Sequence, residues 1–137
     1  MRPLLLFLTL LSQSCREVAL APPIDPADVS IEFAAQVVGP NDPDHTQVEG
    51  RQGDITVQGS VRTGQHGYEL VPELSATGGL RLVVFAELHM GITLAAHYRY
   101  EARLGRLPAG RYPLTVVHRV PAEHRGWIVF DDMVTVR

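Results

Sequence analysis

Residues 94–104 limit the fold more than any other stretch. Leu94, Ala96, Tyr98, Tyr100, Ala102 and Leu104 alternate with Ala95, His97, Arg99, Glu101 and Arg103. A period of two belongs to a half-buried strand, with one face toward a core and one toward water. A slip of one residue would turn three charges inward, so the register is strongly specified.

The same period recurs along the chain. Val29, Ile31, Phe33, Ala35 and Val37 alternate with Ser30, Glu32, Ala34 and Gln36. Ile55, Val57, Gly59 and Val61 alternate with Thr56, Gln58, Ser60 and Arg62. Residues 68–74 form a weaker candidate, because Pro72 cannot donate to a ladder; an edge strand or a bulge is expected there. Val83, Val84 and Phe85 make the next strand apolar on both sides, as if covered on both. Gly78 and Gly79 before it signal a turn. Residues 112–119 and 127–136 complete the set, the last with a bulge or bend expected at Asp131-Asp132. Residues 39–54, dense in Gly, Pro and Asp, read as one long loop. No segment carries a helical period over three turns. Seven short strands with turn chemistry between them predict an all-β sandwich.

One junction is more specific. Leu107-Pro108-Ala109-Gly110-Arg111-Tyr112 resembles the tyrosine corner of immunoglobulin-like and fibronectin type III-like domains. There a Tyr at the start of a strand folds inward and its hydroxyl bonds upstream backbone. The segment is also similar to the L-P-A-G-x-Y stretch of carboxypeptidase-regulatory-like and Cna B-type modules. The resemblance covers residues 54–136 and implies a seven-stranded antiparallel immunoglobulin-like β-sandwich. It lacks the cysteine pair of antibody domains, and it brings no catalytic residue, since fold alone does not supply function.

The N-terminus predicts an address. Arg2 precedes the apolar run "PLLLFLTLLS", too short to span a bilayer but suited to a secretory signal. Two exits compete. Residues 19–21 are an A-x-A cleavage pattern leaving Pro22 first. Alternatively, "SQSC" puts Cys15 where a bacterial lipobox places its lipidated cysteine, with Ser12 standing where such motifs usually have Leu. The expected division is a signal over residues 1–21, lipoprotein-type if cut before Cys15, a Pro-rich linker over 22–28 and a sandwich over 29–137. Cys15 is the single cysteine, so no disulfide forms within the domain and packing alone must hold it.

All twelve basic residues are Arg. Residues 22–96 hold ten acids against three Arg, and residues 97–137 seven Arg against four acids. Such asymmetry can make a surface that prefers anions; solvent-facing strand positions account for several of these Arg equally well.

Chemistry is hard to find. Six His invite a metal reading, but His45, His66, His89, His97, His118 and His124 show no H-x-H or H-x-x-x-H spacing. His97 and His118 on neighbouring strands would make a two-ligand site, short of the usual three or four. Asn41, Asp42 and Asp44 carry calcium-type oxygens without the spacing of an EF-hand. Ser60 and Ser75 lack a nucleophile elbow, Asp131 and Asp132 point to opposite faces of a regular strand, and Trp127 beside Gly126 caps the core or meets a ligand. No catalytic, cofactor or metal set is therefore assigned; Cys15 is the one site residue, for lipidation. The expected function is that of an exported, non-enzymatic cell-envelope protein acting through surface contacts. Its expected partner is a protein or envelope component, with no nucleic acid and no cofactor, and membrane attachment only through a lipid anchor. Two alternatives stand beside it: a periplasmic metal-binding protein using His97 and His118, and a small exported protease inhibitor presenting the 39–54 loop.

Overall fold

The computed structural model describes residues 18–92 and 94–137; Cys15 and most of the expected signal lie outside them. The strands are β1 (Ser30–Val38), β2 (Thr46–Gly50), β3 (Ile55–Thr63), β4 (His66–Ser75), β5 (Leu80–Ile92), β6 (Ala96–Gly105), β7 (Gly110–Val120) and β8 (Arg125–Val136). They form two four-stranded sheets, ordered β1-β6-β3-β2 and β4-β5-β7-β8. The all-β expectation holds. Among the described residues no helix is long and apolar enough to cross a membrane.

Two details of the expected architecture are corrected. There are eight strands rather than seven, because the 39–54 stretch contains β2. That strand pairs antiparallel with β3, from Thr46 opposite Gly59 to Gly50 opposite Ile55. Val48 is its one large apolar residue, so five residues among turn formers carried too little pattern to stand out. The second sheet is mixed rather than antiparallel, since β5 and β7 run parallel. The chain leaves this sheet after β5, runs β6 through the other sheet, and returns as β7. Two crossings restore the original direction.

The alternation predicted the inner faces well. Tyr98, Tyr100, Ala102 and Leu104 of β6 are buried, as are Ile55, Val57 and Val61 of β3. They share one cluster with Leu82 and Val84 of β5 and with Tyr112, Leu114 and Val116 of β7. Leu94 departs from the pattern: it precedes β6 and is 62% exposed. Pro72 sits in β4, which is an edge strand as expected. The last strand does not break at Asp131-Asp132. Its irregularity lies earlier, where Val116 faces Phe130 and Val117 faces Ile128, leaving Val129 as the extra residue.

The corner between β6 and β7 carries the bond its sequence called for. The Tyr112 hydroxyl donates to the Pro108 carbonyl, and the Leu107 amide donates to Gly53 O. Tyr112 is buried, and a hydrogen bond of this kind contributes about 1 kcal/mol net. Residues ahead of β1 are also drawn in. Leu20 bridges Arg111 in parallel, through Ala21 N to Arg111 O and Arg111 N to Ala19 O, each 3.0 Å. Within the segment read as a linker, Ile24 packs on the core and Pro26–Asp28 forms a 3-10 turn capped by Asp25.

Candidate functional site

His97 and His118 do not meet. His97 is on β6 in the first sheet and His118 on β7 in the second. Both are almost fully buried, although the alternation along residues 94–104 puts His97 on the face expected to meet water. Among the described residues no group of three or more His, Cys, Asp or Glu is placed to hold a metal ion.

His118 points into the core. Its Nε2 shares a 2.6 Å hydrogen bond with the Tyr100 hydroxyl from the opposite sheet. Trp127 and Tyr100 each meet the imidazole edge to face, at 5.5 and 5.4 Å, and Phe33 stacks on Tyr100 at 5.6 Å. Tyr100 reaches this position because its partner on β3 is Gly59, where a Cβ would land inside the tyrosine ring. Burial lowers the His118 pKa to about 4 and raises that of Tyr100. The neutral imidazole leaves Nδ1 without a partner among the described residues. A pair this dry ties two sheets together but offers a substrate no approach.

His97 points the other way, to the outer face of the first sheet, and is covered by residues 39–45. Arg62 clamps that segment: Nε donates to Asp44 Oδ1 at 2.7 Å, Nη1 to Pro40 O at 2.9 Å and Nη2 to Asp42 O at 2.6 Å. Arg99 adds a 3.3 Å bond to Pro43 O. His97 Nδ1 lies 3.4 Å from Gly39 O and Nε2 3.6 Å from Asp44 Oδ1. The carboxylates considered for calcium are therefore engaged, Asp44 by Arg62 and Asp42 by the Gly39 N–H.

Beside this loop lies a polar cleft that sequence reasoning missed. His45 Nε2 meets Gln58 Oε1 at 3.1 Å, and Gln58 Nε2 donates to Glu101 Oε2 at 2.9 Å. With Gln36 and Arg99 these line a cleft of about 380 Å³. Ser60 accepts the His45 N–H and so belongs to the loop anchor, not to a triad. Asp131 accepts from Thr115 and Asp132 from the Met133 N–H. His89 pairs with Glu69 at 2.7 Å on the surface. The left-handed backbone of His124 (φ 52°) ends the 3-10 turn Pro121–Glu123.

The outer face of the second sheet differs in kind. Val83, Val117 and Ile128 align across β5, β7 and β8, and Phe85 aligns with Arg119. Val83 and Val117 are buried although they face away from the core, while Ile128 is 61% exposed. Around them Arg81, Arg119, Arg125 and Trp127 line a groove of about 590 Å³ that no acid lines. Arg125 lies 5.1 Å over Trp127, bonds Arg62 O, and pairs with Glu123 at 3.0 Å. Burial pushes the Glu123 pKa up, but bonds from Tyr68, the Gly64 N–H and Arg125 outweigh it and hold the carboxyl low. Arg81 and Arg119 form no ion pair among the described residues. The basic C-terminal part of the sequence and Trp127 beside Gly126 held the signals for this site, and tertiary structure gathered them.

The molecule is thus an all-β domain of two four-stranded sheets. Comparison with family profiles, with curated proteins and with solved structures finds no match to this chain.

Proposed function

We propose that the chain is an exported, non-catalytic binding domain of the bacterial cell envelope, an immunoglobulin-like sandwich acting through the basic groove of its second sheet. The observation that carries this reading is the groove itself. Two guanidinium groups with no ion-pair partner among the described residues flank an apolar floor with a tryptophan at its side. Arg and Trp beside a desolvated apolar patch are the residues from which binding surfaces draw most of their energy. The fitting partner is a protein segment bearing carboxylates next to an aliphatic side chain. Glu73 on β4 and Asp131 on β8, the two edge strands of this sheet, are exposed outside the groove and would repel a partner set out of register.

Support for the immunoglobulin-like part comes from the Tyr112 bond to Pro108; the parallel β5–β7 pair departs from the usual order of that fold. Export rests on the apolar run and Cys15. Of the two exits, the lipid anchor at Cys15 is favoured, because a cut after Ala21 would remove the residues that bridge Arg111.

Trp127 is the single tryptophan of the chain, so its emission reports directly on the groove. Titration with a synthetic Glu- and Leu-rich peptide free of aromatics is expected to shift that emission, and added salt to weaken the effect. Arg119→Glu is expected to abolish the shift. An emission spectrum that ignores the peptide in the parent protein overturns the proposal.

A further inference from the structure

Two sheets present four edges, and three of them are closed or guarded. β2 and β8 come together at one corner of the molecule. There the Gly53 N–H donates to Arg137 O and the Arg137 N–H to Arg51 O. Gly50 lies so close to the Thr135 carbonyl that no side chain would fit. β4 carries Pro72, a register irregularity between His66 and Tyr68, and exposed Glu69 and Glu73. Proline, bulges and edge charges are the devices that stop foreign strands from adding.

β1 has hardly any of them. It pairs with β6 without irregularity from Ser30 opposite Gly105 to Val38 opposite His97. Its nine residues include no proline, no glycine and no basic side chain, and Glu32 is its only charge. Ile31 and Val37 stand 37% and 56% exposed. Along the same side, Phe33, Val37, Tyr68, Leu70 and Tyr98, together with Gln36 and Glu69, line a cleft of about 380 Å³ between β1 and β4.

We propose that β1 is a dimerisation edge, at which two copies of the chain pair antiparallel and join their first sheets into one sheet of eight strands. The order of side chains in β1 is self-complementary. Pairing centred on Ala34 sets Ile31 against Val37 and Phe33 against Ala35 on one face. On the other face it sets Glu32 against Gln36, where the amide donates to the carboxylate, twice by symmetry. Ala34 meets its own copy with nothing to clash. The arrangement is isologous and closes on itself, leaving no free β1 edge. It also brings the apolar side chains of the second copy to the face that borders the cleft. A foreign strand would gain the same backbone bonds, and a second β1 adds this match of side chains from residue 31 to residue 37.

Two measurements test it on the full chain, purified in detergent. Ala34→Cys is expected to give a disulfide-linked dimer on mild oxidation, above the level seen with the parent, because directly opposed strand residues bring their Cβ atoms within disulfide range. Glu73→Cys, on the guarded β4 edge, is expected to stay at that level. Val37→Lys is expected to weaken dimerisation in sedimentation equilibrium at least about tenfold, since it sets two ammonium groups in the shared face. Val37 is exposed in the single chain, so its melting temperature is expected to change little. A parent protein that sediments as a monomer at every concentration overturns the proposal. So does a dimer in which Ala34→Cys fails to cross-link, because that interface lies elsewhere.

Discussion

His97 and His118 are about equally hidden from water, and they are hidden by different means. His118 lies between the sheets, bonded to Tyr100 and met edge to face by the rings of Tyr100 and Trp127. Exposing it requires the sheets to part. His97 lies on the outer side of β6, under a loop held mainly by the three donors of one arginine. Exposing it requires only that the loop lift, an opening local to that segment. Burial alone therefore says little about stability until the covering element is identified. A ring buried by the core reports on the whole domain, and a ring buried by a clamp reports on the clamp.

The largest expected effect breaks the inner site. Gly59→Val drives a branched side chain into the Tyr100 ring and displaces the hydroxyl from His118. Overpacking a closed site of this kind costs about 3 kcal/mol or more, read as a large fall in melting temperature. A variant as stable as the parent would mean that Tyr100 has another resting place and that the cross-sheet pair is incidental.

A second test uses acid. The His118 ring takes its proton at about 4 when folded, against an ordinary value of 6.5. Above 6.5 both states are neutral and the full stability is present. As pH falls from 6.5 toward 4 the unfolded chain gains the proton and the folded chain does not, so stability drains away across that window. The total is about 3 kcal/mol, from roughly 1.4 kcal/mol per unit of difference. Denaturant melts at intervals between pH 7 and 4 should show the decline. His118→Gln, which can still bond Tyr100, should flatten it. An unchanged slope in that variant would assign the acid sensitivity to other groups.

The smallest effect sharpens the outer site. Arg62→Ala removes three bonds at a half-exposed position and is expected to cost about 1–2 kcal/mol. Its signature is selective. Amide exchange across residues 39–45 should quicken, and His97 should become open to a histidine-acylating reagent while His118 stays protected. Equal labelling of both rings, followed by peptide mass spectrometry, would show that the loop and the core open together.

Much of this fold was legible because a strand writes its two faces into alternate residues. The β6 pattern alone places Tyr98, Tyr100, Ala102 and Leu104 inside, and Pro72 marks an edge. The corner at residues 107–112 was readable for a similar reason: its bond spans four residues, and local geometry is encoded locally. β2 escaped because one valine among turn formers makes no period. Two adjacent acids at Asp131-Asp132 suggest a break there, whereas the insertion falls at Val129, an apolar residue that either face accepts.

The amino-acid sequence by itself determined seven of the eight strands, which face of most of them is dry, and that Tyr112 closes a corner. Strand order was beyond it. Whether β5 meets β7 in parallel, whether His97 and His118 share a sheet, and which arginines gather around Trp127 all depend on pairings between residues far apart in the chain. Alternation records that a face is buried and not what buries it. Only the packed sheets decide that, because the covering partner is chosen by the joint fit of many weak contacts and no single segment carries the information.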